Sequence, residues 1–288
     1  MAIYKRGYQR YQGPIRGRWA RIMVLPRFGW RRLFQQRLVV LLLVVSMIWP
    51  LLCAIYLYLG NNIDLLKNLR LGSEFVDFIQ GNNMFFLVFM KVQAVFTILL
   101  AALTGPGCIA PDLANNGLPL YFSRPITRTE YALGRLGTLM GLLSIITWIP
   151  GLILFAMQAA IADPPWFSDN WQISAGLLLG FFLWILLVSM VALASSAYAK
   201  MKAVAGGLVF GFFFILAGAA GVINLVFNSQ RGYILNPTWT TQRIWYALLG
   251  VEPPAGPGAL LCFFILAGGI TLLALILKRR LRPVEVIR

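Results

Sequence analysis

Six long apolar runs dominate the pattern of hydrophobic and polar positions along the chain. None shows the polar stripe of a soluble amphipathic helix, none contains an acidic residue, and the only bases are Lys91 in the second run and Arg135 at the start of the third. Each run is long enough to cross a bilayer, which takes about 20 apolar residues. The pattern predicts an all-α integral membrane protein with six transmembrane helices at about residues 38–59, 84–104, 133–160, 173–198, 203–228 and 258–277.

Composition supports this class and removes several others. Of the 288 residues, 59% are hydrophobic and 12% are charged, whereas a soluble domain carries about 25% charged residues. The chain contains no histidine, and Cys53, Cys108 and Cys262 lie far apart with no CxxC spacing. This excludes His-dependent haem ligation, Ser–His or Cys–His nucleophiles and most zinc sites. We therefore expect no catalytic residue, cofactor or metal in this chain.

The distribution of charge predicts the orientation. If the spans alternate in direction, residues 1–37, 105–135, 199–202 and 278–288 share one side and hold 20 of the 25 Lys and Arg residues. The opposite side holds four bases and six acids. This asymmetry predicts that both termini are cytoplasmic. The net charge of +16 then reflects topology and contact with anionic lipid, so we expect the bilayer and not nucleic acid as a partner.

The first 37 residues form a separate basic segment. They hold ten bases and no apolar core region, so no cleaved signal peptide is expected. Between residues 16 and 37 tryptophan and aliphatic residues recur at helical spacing among arginines, which is typical of an amphipathic helix lying in the membrane interface. Pro26 and Gly29 are expected to bend or split it. The simpler interpretation is a basic anchor that only orients the first span.

The connection between spans two and three is the longest internal loop on the predicted cytoplasmic side. Asp112 is expected to cap a short helix that begins near Leu113, and Asn116–Gly117 is expected to end it. Thr127 is expected to cap a second helix that runs into span three, with Glu130 at its third position. Residues 105–135 therefore predict a compact knob made of a short helix, a turn and a helical re-entry.

Within this loop, the run IAPDLANNGLPLYFSRPITRTEYALGR resembles the signature of the ABC transporter type 2 permeases. Six spans, cytoplasmic termini and a basic helix before the first span agree with that family. The residues that match its pattern are Gly117, Leu120, Tyr121, Ser123, Arg124, Pro125, Arg128, Glu130, Tyr131, Gly134 and Arg135.

The resemblance implies the permease subunit of an ATP-driven exporter in a bacterial plasma membrane. Such permeases pair with a second permease subunit, and each binds a cytoplasmic ATP-binding subunit that carries ATP and Mg. The chain has no GxxxxGK[ST] phosphate loop, so it is not expected to be an enzyme itself. The implied coupling helix includes Asp112, Leu113, Gly117, Leu120, Tyr121, Ser123, Arg124, Pro125, Arg128 and Glu130.

Three polar residues inside the spans are candidates for a substrate path: Lys91, Gln93 and Asn224. A base within a membrane helix is a functional candidate by default, but Lys91 is near enough to a span end for its stem to snorkel or to contact another helix. The GxxxG pairs at 137–141, 176–180 and 207–211 favour helix contacts within one subunit. Two alternatives stay open: a non-transporting membrane anchor or scaffold, and an ion-coupled carrier, against which the lack of acidic residues in the spans weighs.

Overall fold

A computed structural model describes residues 17–61, 82–115, 117, 121, 127–162, 165–199 and 201–281. Within these ranges the chain is helical and contains no strand. The helices are α1 Arg18–Phe34, α2 Arg37–Asn61, α3 Asn83–Thr104, α4 Pro106–Ala114, α5 Arg128–Ile146, α6 Trp148–Ile161, α7 Pro165–Tyr198, α8 Lys202–Val226, α9 Pro237–Leu248 and α10 Ala259–Arg280, with a 3-10 turn at Arg231–Leu235 between α8 and α9.

Among the described residues, six helices or helix pairs are long and apolar enough to cross a membrane, which confirms the predicted multi-pass membrane class. They are α2, α3 with α4, α5 with α6, α7, α8 and α10. The second and third reach from Asn83 to Ala114 and from Arg128 to Ile161, so they extend beyond the predicted spans. Their added ends bring Asp112 and Glu130 into the helices of the bundle.

Helix α7 is the centre of the bundle. Its most apolar window is 72% buried, while the corresponding windows of α8 and α10 are 17% buried. Trp184 lies near its middle, fully buried between Phe213 of α8 and Trp245 of α9. The peripheral helices therefore present broad apolar faces outward, as helices in contact with lipid do.

A tight approach of α7 explains the break between α3 and α4. A β-carbon at Gly105 would lie 2.6 Å from the β-carbon of Ala192 on α7, so only glycine fits there. Pro106 follows at the first position of α4, where its missing N–H is not needed. The Ser196 hydroxyl accepts hydrogen bonds from the backbone N–H groups of Ile109 and Ala110, at 3.1 and 2.9 Å. Helix α4 therefore extends span two, and the Ser196 hydroxyl accepts hydrogen bonds from two of its backbone N–H groups.

This arrangement corrects the expectation that Asp112 starts a helix near Leu113. Helix α4 already begins at Pro106, and Asp112 lies in its last turn. A Gly-Pro pair is typical of a turn, but here glycine allows helix packing and proline begins the next helix.

Helix α1 is continuous from Arg18 to Phe34, so Pro26 and Gly29 do not split it, and a bend at these residues stays a prediction. Both residues face α5. A β-carbon at Gly29 would lie 2.5 Å from the Thr138 side chain, and the Pro26 ring lies 3.6 Å from the equivalent position at Gly137. Packing of this face on α5 therefore holds the helix together across a proline that removes one backbone hydrogen bond.

Glycines on α5 form the surface that receives α1. A β-carbon at Gly134 would lie 2.6 Å from Leu25, and one at Gly141 would lie 2.2 Å from the ring of Trp30. The Trp30 indole N–H also donates to the Thr138 carbonyl oxygen at 2.8 Å. The predicted use of the 137–141 glycine pair within the subunit is confirmed.

The other two glycine pairs differ from each other. Gly180 on α7 lies against Trp245, whose indole N–H donates to the Gly180 carbonyl oxygen at 3.0 Å. That contact buries Trp245 almost completely. Gly207 on α8 has nothing within 4 Å of its β-carbon position, so the 207–211 pair makes no such contact between the described helices.

The basic segments meet at one end of the bundle, which we call the basic end. Arg32 of α1, Arg135 of α5 and Lys202 of α8 line one cavity of about 30 Å³ together with Cys108 of α4. At the same end the Arg280 side chain of α10 donates to the carbonyl oxygen of Ala197 near the end of α7, at 3.2 Å. That the basic end faces the cytoplasm stays a prediction.

Candidate partner-docking site

The second half of the 105–135 connection begins with a capping box. The Thr127 hydroxyl accepts a hydrogen bond from the Glu130 backbone N–H at 3.3 Å, and the Glu130 carboxylate accepts one from the Thr127 N–H at 2.8 Å. The two residues satisfy each other's free amides and start α5 at Arg128. The predicted cap and its partner are confirmed.

The first half of the connection ends at the expected place. Helix α4 stops at Ala114, with Asn115 as its cap. Beyond it the Gly117 N–H donates to the Asp112 carbonyl oxygen at 2.7 Å, which turns the chain back over the helix end. Asn116 lies outside the described residues.

A buried polar cluster joins the two halves. The Tyr131 hydroxyl donates to the Asp112 carboxylate at 2.5 Å, and the Arg135 guanidinium forms an ion pair with the same carboxylate oxygen. Arg135 also lies 3.4 Å from the Tyr121 hydroxyl. The exposed fractions of the Arg135 and Asp112 side chains are 13% and 17%. We call Asp112, Tyr121, Tyr131 and Arg135 the clamp.

The clamp gives the two ends of the loop a fixed separation. Asp112 lies on the last turn of α4, while Tyr131 and Arg135 lie one turn apart on α5 and therefore share a face. The rings of Tyr121 and Tyr131 also pack together, with centroids 5.3 Å apart. A charge-assisted hydrogen bond is stronger than a neutral one, and this one is shielded from water. The clamp thus makes α4 and α5 a single unit at the basic end.

The structure describes six of the ten predicted docking residues, including Gly117 in the turn beyond α4. Asp112 and Tyr121 belong to the clamp, while Leu113 is half-buried against the bundle core. Arg128 is exposed at the first position of α5, and Glu130 is buried in the cap. The remaining members lie outside the described residues: Leu120, Ser123, Arg124 and Pro125.

Sequence reasoning treated Asp112 as a helix cap and did not identify the clamp. The available signal was the spacing of Tyr131 and Arg135, which puts a hydroxyl and a guanidinium on one face of α5. Nothing in the pattern named Asp112 as their partner, because that pairing depends on where α4 begins.

The three candidates for a substrate path do not converge. The Lys91 ammonium donates to the Tyr246 hydroxyl at 2.8 Å, near the end of the bundle opposite the basic end. Asn224 lies near the C-terminal end of α8, and its side-chain amide has no hydrogen-bond partner among the described residues. Gln93 is fully buried. Their use in a substrate path stays a prediction.

Gln93 connects three helices at two backbone carbonyls that lack a donor within their own helices. Its side-chain amide donates to the carbonyl oxygens of Ser46 on α2, at 3.2 Å, and of Ile146 on α5. Ser46 lies four residues before Pro50 within α2, and that proline has no N–H to complete the helical bond. Ile146 is the last residue of α5, so its carbonyl oxygen is one of the helix-end acceptors without an intrahelical donor. The two amide hydrogens of one glutamine therefore replace two missing backbone donors.

Comparison with models of known families and with curated proteins finds no match to this chain. Among the described residues no group of three or more His, Cys, Asp or Glu side chains is placed to hold a metal ion. The site is thus defined by the clamp, the cap of α5 and the basic surface around them.

Proposed function

We propose that the chain is the permease subunit of an ATP-driven exporter, in which the 105–135 connection docks on a separate ATP-binding subunit. The observation that carries the proposal is the clamp, which fixes both ends of the one stretch that resembles the type 2 permease signature. A docking element must be held rigidly at its ends to transmit force, and the largely buried ion pair and the capping box hold the two ends of the connection in this way.

The connection leads directly into two membrane helices. Helix α4 extends span two and α5 begins span three, so a movement of the loop is transmitted to both spans at once. Arg128 is exposed at the start of α5, where it is available to partner carboxylates, with Arg124 close to it in the sequence. Charge-assisted pairs of this kind give both affinity and orientation.

In the proposed mechanism, a path formed between two permease subunits is exposed alternately to one side of the membrane and to the other. ATP and Mg act on the partner, and this chain converts closure of the ATP-binding subunits into movement of spans two and three. The apolar faces of α2, α8 and α10 supply surface for lipid and for the second permease subunit. The proposed location is a bacterial plasma membrane.

Charge reversal tests the docking step. We expect Arg124→Glu with Arg128→Glu to abolish the vanadate-sensitive ATPase activity of the purified complex or to release the ATP-binding subunit. Arg279→Glu is the matched control, because it reverses another exposed base at the basic end outside the connection. Normal assembly and activity in the double variant would refute the docking role.

A particle that stays assembled but never hydrolyses ATP would favour the scaffold alternative. In that case the clamp would fix a static anchor and would couple no motion. The charge-reversal variants distinguish an exporter subunit from a scaffold. A scaffold would lose its partner subunits on charge reversal, but its particle would have no ATPase activity before the change.

A further inference from the structure

A large apolar groove opens at the basic end and takes no part in the docking of α1 or in the clamp. Its floor is α7, and its two walls are α5 and α10, which both pack on α7 and leave space between them. The volume is about 940 Å³, near the upper limit of roughly 1,000 Å³ for small-molecule pockets. The side chains that line its length are Leu133, Leu136, Leu186, Met190, Leu193, Ile270, Ala274 and Leu277.

The groove has one charged end. Arg128 at the start of α5 and Lys278 near the end of α10 both line it, together with the Thr127 and Thr129 hydroxyls. No acidic side chain lines it among the described residues. Ile270 lies eight residues before Lys278 on α10, which is about 12 Å along a helix. An apolar channel of two helical turns therefore leads to a pair of cations.

We propose that this groove binds one anionic glycerophospholipid, with an acyl chain between α5 and α10 and the phosphate between Arg128 and Lys278. The walls belong to helices that are apolar enough to span a membrane, so the surrounding medium supplies acyl chains. Basic pockets between membrane helices at the cytoplasmic surface recognise anionic head groups. The proposal needs only a multi-pass membrane protein and does not depend on export.

Charge complementarity favours a lipid over a second copy of this chain in the groove. A two-fold interface places the same surface opposite itself, so two copies would bring Arg128 and Lys278 close to their counterparts, with no acidic partner among the described residues that line the groove. An anionic head group removes that repulsion and also accepts hydrogen bonds from the two threonines.

Native mass spectrometry of the full chain in detergent tests the proposal with two probes of equal acyl chains, dioleoylphosphatidylglycerol and dioleoylphosphatidylcholine. One phosphatidylglycerol should be retained at lower concentration than phosphatidylcholine. Loss of one cation should weaken its retention about fivefold and loss of both about thirtyfold, since each base near anionic lipid contributes roughly that factor. The charge variants are Lys278→Gln and Arg128→Gln, and Arg279→Gln is the control on the same helix end outside the groove.

A second pair of variants tests the apolar part. Ala274→Trp fills the groove and should prevent retention of both lipids, whereas Leu275→Trp, one residue along on a surface that does not line it, should not. Ala132→Trp on the opposite wall replaces Ala274→Trp if that variant does not elute as a single species.

Three results would overturn the proposal: equal retention of the two lipids, equal effects of Lys278→Gln and Arg279→Gln, or undiminished retention when the groove is filled. A dimer whose interface protects the groove from lipid would assign it to a second copy instead.

Discussion

Replacement of Gln93 by leucine should destabilise the bundle, because two backbone carbonyls would lose their hydrogen-bond donors at once. The Gln93 side chain is fully buried, and its amide bonds the carbonyl oxygens of Ser46 and Ile146. A buried polar group left without a partner costs about 1–3 kcal/mol, but interhelical hydrogen bonds measured in a membrane protein average about 0.6 kcal/mol and reach about 1.7 kcal/mol. The loss of two such bonds is partly offset by added apolar contact and by removal of Gln93 Oε1, which has no partner among the described residues, so the expected net loss is about 2 kcal/mol.

The assay is the apparent melting temperature in detergent, followed as loss of the monodisperse peak in size-exclusion chromatography. At roughly 2–4 °C per kcal/mol for a chain above 150 residues, the expected decrease is about 4–8 °C. Thr97→Val is the control, since it removes a buried hydroxyl that bonds only the Gln93 backbone carbonyl oxygen within α3. It should lower the melting temperature by much less.

A second substitution isolates the cause. Pro50→Ala supplies a backbone N–H four residues after Ser46 within the continuous helix α2, so it restores a donor for that carbonyl. The loss caused by Gln93→Leu should therefore be about 1 kcal/mol smaller in the Pro50→Ala background than in the wild-type chain, the net value of one hydrogen bond. An unchanged loss in that background, or a Gln93→Leu melting temperature within about 1 °C of wild type, which is under 0.5 kcal/mol, would refute the reasoning.

Two further predictions concern the basic end. Asp112→Ala leaves the Arg135 cation without its partner, and breaking a buried ion pair costs about 3–5 kcal/mol of stability. Because both side chains are slightly exposed, the free energy of unfolding is expected to fall by about 3 kcal/mol. Most of this loss should disappear when Arg135→Met is added. Additive losses in the double variant would contradict the clamp. Gly141→Leu should displace Trp30 and make α1 sensitive to trypsin, whereas Gly207→Leu, in open space, should not; equal cleavage of the two would contradict the docking of α1 on α5.

The spans and the cap of α5 were predictable because each depends on a local signal. A run of about 20 apolar residues has few soluble interpretations, and Thr127 with Glu130 has the spacing of a capping box. In these cases the determining contacts lie within a few positions of one another.

Errors arose where a distant helix decides the outcome. Pro26 was expected to bend or split α1, but packing on the α5 glycines keeps the helix continuous. Asp112 was expected to begin a helix, but the approach of Ala192 to Gly105 allows α4 to start earlier. The pairing of Gln93 with the backbone carbonyls of Ser46 and Ile146 was equally hidden, because it joins positions 47 and 53 residues apart in the chain.

The most direct test of the proposed function is the identity and amount of what is purified with the tagged chain from its native membrane in mild detergent. The proposal predicts a subunit with a GxxxxGK[ST] phosphate loop, in equal amount to the permease, and vanadate-sensitive ATPase activity in the same particle. A stable particle without such a subunit and without ATPase activity would contradict it, and the roles given to Arg124 and Arg128 would then be withdrawn.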